Sequence, residues 1–252
     1  MFLKKKILGV ILCRSDSKRL NKKIFKKINK KSALENLIVN VKSFKFIDHL
    51  VIALPNLDEN REKIAKIAKE NSTKIFFGKK NNVLDRLIRA SKNFRYDFLL
   101  RLNADNPFVS KKVIQKNLKE TIQGNYDVST YAFSNSIPFG LSTVIFKKDI
   151  LEKINKLTNN KKYLEHIENF CFINKKKFRI HYQEIKKNNF YFYNCSIDNK
   201  EDLIRVKKIF NTNSTADKID ILKKFAKKNI KKSEREKLYN IKKFKNNIKK
   251  YK

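Results

Sequence analysis

The chain has 252 residues, with 61 Lys and Arg against 24 Asp and Glu and a formal charge of +37. That length suits one large α/β domain, or a domain with an appendage, and a 41% hydrophobic share is enough to fill a core. Such charge first suggests nucleic acid, but the lysines run through nearly every segment beside abundant Asn, Ile and Phe, so codon bias explains them and no specific nucleic-acid partner is expected.

Strand-like and helix-like stretches alternate, which predicts a mostly parallel sheet covered by helices, a Rossmann-like α/β fold. The first strand is Ile7–Cys13, followed by a basic loop. A helix follows from Ser32, its N-cap, with Leu34, Leu37, Ile38 and Val41 at helical spacing. Next come a strand at His49–Leu54, an amphipathic helix over 56–71, a strand at Lys74–Phe77 and a helix at Val83–Lys92. A strand at Asp97–Leu102 leads into NADNP and a helix over about Lys111–Gln123.

Beyond Gly124 the pattern changes. Strands are predicted around Tyr126–Ala132 and Leu141–Phe146, a helix around Tyr163–Phe172, and strands near Lys177–Tyr182 and over Phe190–Ile197. Asn199 caps a further helix with Leu203, Val206 and Phe210 on one face. Two regions are expected, a domain over 1–210 and a basic helical tail over 211–252. In the tail, Ile219, Leu222, Phe225 and Ala226 predict one more packed helix.

Cys13, Cys171 and Cys195 lie far apart in apolar runs, as buried free thiols do. Three scattered histidines suggest no metal cluster. The N-terminal apolar run stops after seven residues without a cleavage site, unlike a signal peptide. No stretch approaches the ~20 apolar residues of a membrane span, so a cytoplasmic protein without a transmembrane segment is expected.

The loop after the first strand carries Arg14, Ser15, Ser17, Lys18, Arg19, Lys22 and Lys23. Cations at the rim of an α/β sheet suit phosphate, although composition alone favours an ordinary solvated loop. The glycines of a Walker loop or a dinucleotide fingerprint are absent. Asp105 and Asp198 each follow a predicted strand. Two such carboxylates facing a cationic loop would make a metal–nucleotide site, because Mg²⁺ is held by one or two carboxylates plus phosphates; a turn or helix cap is the commoner fate of either alone.

These motifs resemble those of cytidylyltransferases of the spore-coat-polysaccharide type, relatives of the CMP-Kdo and CMP-sialate synthetases. The family loop (Q/P)-A-R-x-x-S-x-R-L-P-G-K is matched at Arg14, Ser17, Arg19, Leu20 and Lys23. D-V-L-D-R is matched at Val83, Leu84, Asp85 and Arg86, and R-x-x-G-D-x-P-L at Arg101, Asp105 and Pro107. Gly140 keeps the D-G-L position, Glu165 and His166 the E-H pair, and Asp198, Glu201 and Asp202 the V-D-T-P-E-D motif. Departures fall at Leu12, at Asn21-Lys22 in place of Pro-Gly, and over 139–144, where every acid is gone.

The resemblance implies a nucleotide-diphospho-sugar-transferase-like fold in which a sugar hydroxyl attacks the α-phosphate of CTP with Mg²⁺ bound. It implies Arg14, Ser17, Arg19 and Lys23 on the triphosphate, Asp105 and Asp198 on the metal, and Arg14, Lys23 and Asp105 as the catalytic set. It further implies an acidic sugar destined for surface polysaccharide, a homodimer, pocket-shaping roles for Asp85 and Arg86, and His166 either facing the sugar or packed structurally. A metal-dependent glycosyltransferase of related fold, with Asn103-Ala104-Asp105 as half of a D-x-D motif, is the alternative. A non-catalytic RNA- or membrane-associated protein is the third.

Overall fold

The computed structural model describes residues 5–17, 19–131, 137–182, 193–211 and 214–228. Strand β1 (Ile7–Leu12) leads through a 3-10 turn at Lys23–Phe25 to a two-strand ribbon, β2 (Lys27–Ile28) and β3 (Lys31–Ser32). Helix α1 (Ala33–Lys42) starts at Ser32, whose hydroxyl accepts from Glu35 N while the Glu35 carboxylate accepts from Ser32 N. That reciprocal cap contributes about 1 kcal/mol and fixes the helix start. Then come β4 (His49–Pro55), α2 (Arg61–Glu70), β5 (Lys74–Gly78), α3 (Val83–Ser91), β6 (Phe98–Asn103) and α4 (Lys111–Gln123).

The second half contains β7 (Val128–Thr130), β8 (Val144–Lys147), α5 (Ile150–Leu157), α6 (Lys161–Glu165), α7 (Ile167–Ile173), β9 (Ile180–Tyr182), α8 (Lys200–Phe210) and α9 (Lys218–Lys228). Seven strands form one sheet in the order β5-β4-β1-β6-β8-β7-β9. All neighbours pair parallel except β8, which is antiparallel to both β6 and β7. The expected mostly parallel α/β sheet is therefore present.

Alternation along β1 divides the core. Ile7 and Ile11 join α1, α2 and α4 through Leu34, Ile64 and Ile114, while Leu8 and Val10 join α3, α5 and α7 through Leu87, Ile154 and Phe170. A third cluster beyond the sheet unites Leu20, Phe108, Leu141, Tyr193, Cys195 and Ile197 with α8 and α9. Ile219, Leu222 and Ala226 are buried there, so α9 is a packed helix, as its apolar spacing predicts. The three cysteines are free and buried, and burial pushes the Cys195 thiol up to about 12.

Several boundaries differ from expectation. Tyr193–Ile197 form no strand, although aromatic alternation predicts one; the side chains of Tyr193, Cys195 and Ile197 enter the third core without a ladder. The rest of that predicted strand, 190–192, lies outside the described residues, as do Ala132 and 229–252. The helix predicted over Tyr163–Phe172 is broken at His166 into α6 and α7. Helix α5 and the β2–β3 ribbon were not predicted. Among the described residues no helix is long and apolar enough to cross a membrane.

Candidate active site

Strands β1, β4 and β5 run outward on one side of β1, and the chain then crosses to place β6 on the other side. A crevice outside the carboxyl ends of parallel strands at such a switch is where open α/β sheets bind ligands. Here it lies between the loop after β1 and the loop after β6, tied together where Ala104 N donates to Leu12 O (3.0 Å).

Lys23 brings the two predicted carboxylates to one point. Its Nζ donates to Asp105 Oδ2 (2.6 Å) and to Asp198 Oδ1 (3.2 Å). Arg19 reaches the same Asp198 oxygen at 3.0 Å from the solvent side. Lys23 is only 9% exposed, and the carboxylates offset the hydration that a buried ammonium gives up. Two cations and two carboxylates thus balance one another across three stretches far apart in the chain.

Asp198 does not end a strand; it ends the irregular segment 193–198. That segment is held by its backbone, with Ile197 N donating to Asp105 O (2.9 Å) and Cys195 N to Phe139 O (2.7 Å). Gly140 makes this docking possible. Its φ is +90°, and a Cβ there would lie 2.5 Å from Ser196 N and 2.6 Å from Cys195 C. Backbone cannot yield as a side chain can. Gly140→Ala should therefore cost about 3 kcal/mol and displace Asp198. A thermal scan and a nucleotide-binding titration check this; a wild-type result in both would leave Gly140 without that role.

The loop departure Asn21-Lys22 also has a structural reading. Lys22 lies in the left-handed region (φ 53°, ψ 35°), the conformation that a glycine adopts without strain. The turn that aims Lys23 is thus kept with a side chain present, at a cost of about 1–2 kcal/mol. Lys22→Gly should relieve part of that strain, offset by the extra freedom of the unfolded chain, and raise Tm by about 2 °C. Differential scanning calorimetry showing a lower Tm would refute it.

The other predicted residues are less concentrated. Ser17 Oγ lies 3.5 Å from Leu20 N within its own loop. Arg14 is exposed, with a guanidinium nitrogen 3.7 Å from Glu165 Oε1, a surface pair of little energetic weight. Asp85 N donates to Asn82 Oδ1, which caps α3, and the buried Arg86 guanidinium donates to Lys79 O and Lys80 O. Burial, then the like charges of Arg14 and Arg101, lower the Arg86 pKa. Arg101 pairs with Glu168 in the interior. His166 is exposed at the α6–α7 break, so it is not packed into the core. Asp202 is fully buried, accepting from Asp198 N and Arg205.

Two residues escaped sequence reasoning. Asp58 and Asn60, after β4, hold Ser15 in the cationic loop: Asp58 Oδ2 accepts from Ser15 N (2.8 Å), Asp58 Oδ1 from Ser15 Oγ (2.6 Å), and Asn60 Nδ2 donates to Ser15 Oγ (2.9 Å). The segment NLDEN reads as a helix start, and nothing local in it points to a loop 43 residues away.

A family model described as cytidylyltransferase matches residues 8–249. The chain belongs to the cytidylyltransferase family. It is 26% identical over 211 residues to the spore coat polysaccharide biosynthesis protein SpsF of Bacillus subtilis, covering 81% of this chain and 86% of that one. The fold matches that of a cytidylyltransferase from Leptospira borgpetersenii with a TM-score of 0.82 at 24% identity, over 89% of this chain and 95% of that one. It also matches CMP:2-keto-3-deoxy-manno-octonic acid synthetase complexed with CTP, with a TM-score of 0.62 at 14% identity, over 82% of this chain and 98% of that one. This cytidylyltransferase is thus a nucleotidyltransferase, and Lys23, Asp105 and Asp198 meet near the switch of its sheet.

Proposed function

We propose that this cytidylyltransferase moves the cytidylyl group of CTP to a hydroxyl of an acidic sugar for surface-polysaccharide synthesis. The hydroxyl oxygen forms a bond to the α-phosphorus, the bond to the β-phosphate oxygen breaks, and pyrophosphate leaves with the hydroxyl proton lost to solvent. The observation that carries this is the meeting of Lys23 with Asp105 and Asp198 at the switch of the sheet. Phosphoryl transfer is mostly positioning and charge neutralisation, and this is a place equipped for both.

Asp105 and Asp198 would hold a divalent cation, taken as Mg²⁺. The donor set fits: two carboxylates, oxygen ligands throughout, and no cluster of three or more His, Cys, Asp or Glu among the described residues that would suit a softer or fully protein-held ion. Bound there, such a cation offsets the charge of the phosphates. Arg14, Arg19 and Lys23 would bind the triphosphate, with Ser17 adding a hydroxyl. An acidic acceptor is favoured by the loss of acids over 139–144. The SpsF relative supports a polysaccharide role, and the CTP-bound neighbour supports CTP.

The test is a panel of sugar acids and neutral sugars with each of the four NTPs, scored for pyrophosphate. CTP with an acidic sugar should give the fastest release. Equal turnover with a nucleotide-sugar donor and no pyrophosphate would refute nucleotidyl transfer.

A further inference from the structure

Ser15 lies in the middle of the cationic loop, yet neither of its donors faces outward. Its backbone N–H and its hydroxyl both go to the Asp58 carboxylate, and the hydroxyl also accepts from Asn60. The carboxylate takes a third donor, Asn60 N, which reaches Oδ1 at 3.0 Å. Ser15 and Asp58 are 3% and 7% exposed, so the bonds between them are shielded from water, with the partly buried Asn60 at their edge. Charge-assisted bonds of this length are about twice as strong as neutral ones.

The neighbours of Ser15 are free to face solvent. Arg14 and Asp16 are both exposed, and Asp16 reaches Lys80 of the loop after β5 at 2.7 Å. Between the buried Cys13, which follows the strand, and the buried Leu20, the loop is thus held by polar contacts at Ser15. Asp58 in turn is fixed by the turn that opens α2, where its N–H donates to Pro55 O and its carbonyl accepts from Arg61 N.

We infer that Asp58 is a positioning residue for nucleotide binding: it pegs Ser15 so that Arg14 on one side and Arg19 and Lys23 on the other hold a fixed spacing for the triphosphate. Ser15 is then an anchor and not a phosphate ligand, although its hydroxyl and N–H look suited to one. The inference rests on the nucleotidyl-transfer function proposed above, and it adds a residue from the turn after β4 to a site otherwise built from the loops after β1 and β6 and the segment 193–198.

The test uses the full chain with Asp58→Asn, Ser15→Ala and the double variant. CTP affinity is measured by calorimetry, pyrophosphate release by KM and kcat, and local opening by amide hydrogen exchange. Each single variant should weaken CTP about ten- to hundredfold through KM, with kcat at saturation within about threefold of wild type. The double variant should be no worse than the weaker single one, because both remove the same peg. Exchange should quicken over residues 14–20 while strands β1 and β4 stay protected. Wild-type KM in both singles, or losses that multiply in the double, would overturn the inference. If the wild-type chain itself binds no CTP, the proposed function fails; hydrogen exchange then decides the peg alone, with unchanged protection at 14–20 overturning it.

Discussion

Asp105→Asn should lower pyrophosphate release from CTP by about 10²–10³-fold, the usual cost of removing one preorganised charge-stabilising group. Asparagine keeps the volume and can still accept from the Lys23 ammonium, so the loop after β6 should keep its shape. What it loses is the charge that would hold a divalent cation against the phosphates. Asp198→Asn should behave alike, because both carboxylates contact the same ammonium. The measurement is turnover at saturating CTP beside a near-ultraviolet circular dichroism spectrum that reports intact packing. Wild-type turnover in the folded Asp105→Asn variant would remove that residue from the cation site.

Lys23→Met should change two quantities in opposite directions. In the structure the ammonium occupies the space between the carboxylates that a cation would share. Without it, Mn²⁺ added alone should bind about ten- to hundredfold more tightly, the equivalent of releasing a charge-assisted contact of about 1.5–3 kcal/mol. CTP should bind more weakly and turnover should fall about 10²-fold or more, because the same ammonium is one of the cations proposed to bind the triphosphate. Mn²⁺ paramagnetic resonance reads the first effect, and steady-state kinetics the second. Unchanged or weaker Mn²⁺ binding in the variant would show that Lys23 and the metal do not compete. Metal and nucleotide are then expected to arrive together, since the phosphates give Lys23 somewhere else to go.

The parallel half of the fold could be read because its strands are short uncharged runs and its helices are amphipathic. Ile7–Cys13 is buried on both faces, as a central parallel strand must be, and Ser32 and Asn199 announce the helices they cap. Beyond residue 124 the same cues mislead. FYFYNCSI has the composition of a strand, yet Tyr193, Cys195 and Ile197 are drawn into a core made by α8 and α9, and side-chain burial is all that alternation reports. Asp198 could still be placed beside Asp105, because the aspartate matters through its position after the apolar run and not through the run's hydrogen bonding. Asp58 could not be found, since its meaning lies in Ser15, which is distant in the chain. Lys22 carried a signal in reverse: a lysine in place of the family glycine marked a turn that the backbone retains at φ 53°.

The spread of the site along the chain has a bearing on how the protein is made. Lys23 and Asp105 belong to loops of the sheet, whereas Asp198 rides on a segment secured by the third core. During synthesis, which proceeds at about 5–20 residues per second, β1, β4, β5 and β6 can pair before residue 198 has left the ribosome. A nascent chain at that stage has the cationic loop and one carboxylate, but not the second. The proposed cation site would therefore stay incomplete until the segment carrying Asp198 and the helices α8 and α9 that secure it have emerged.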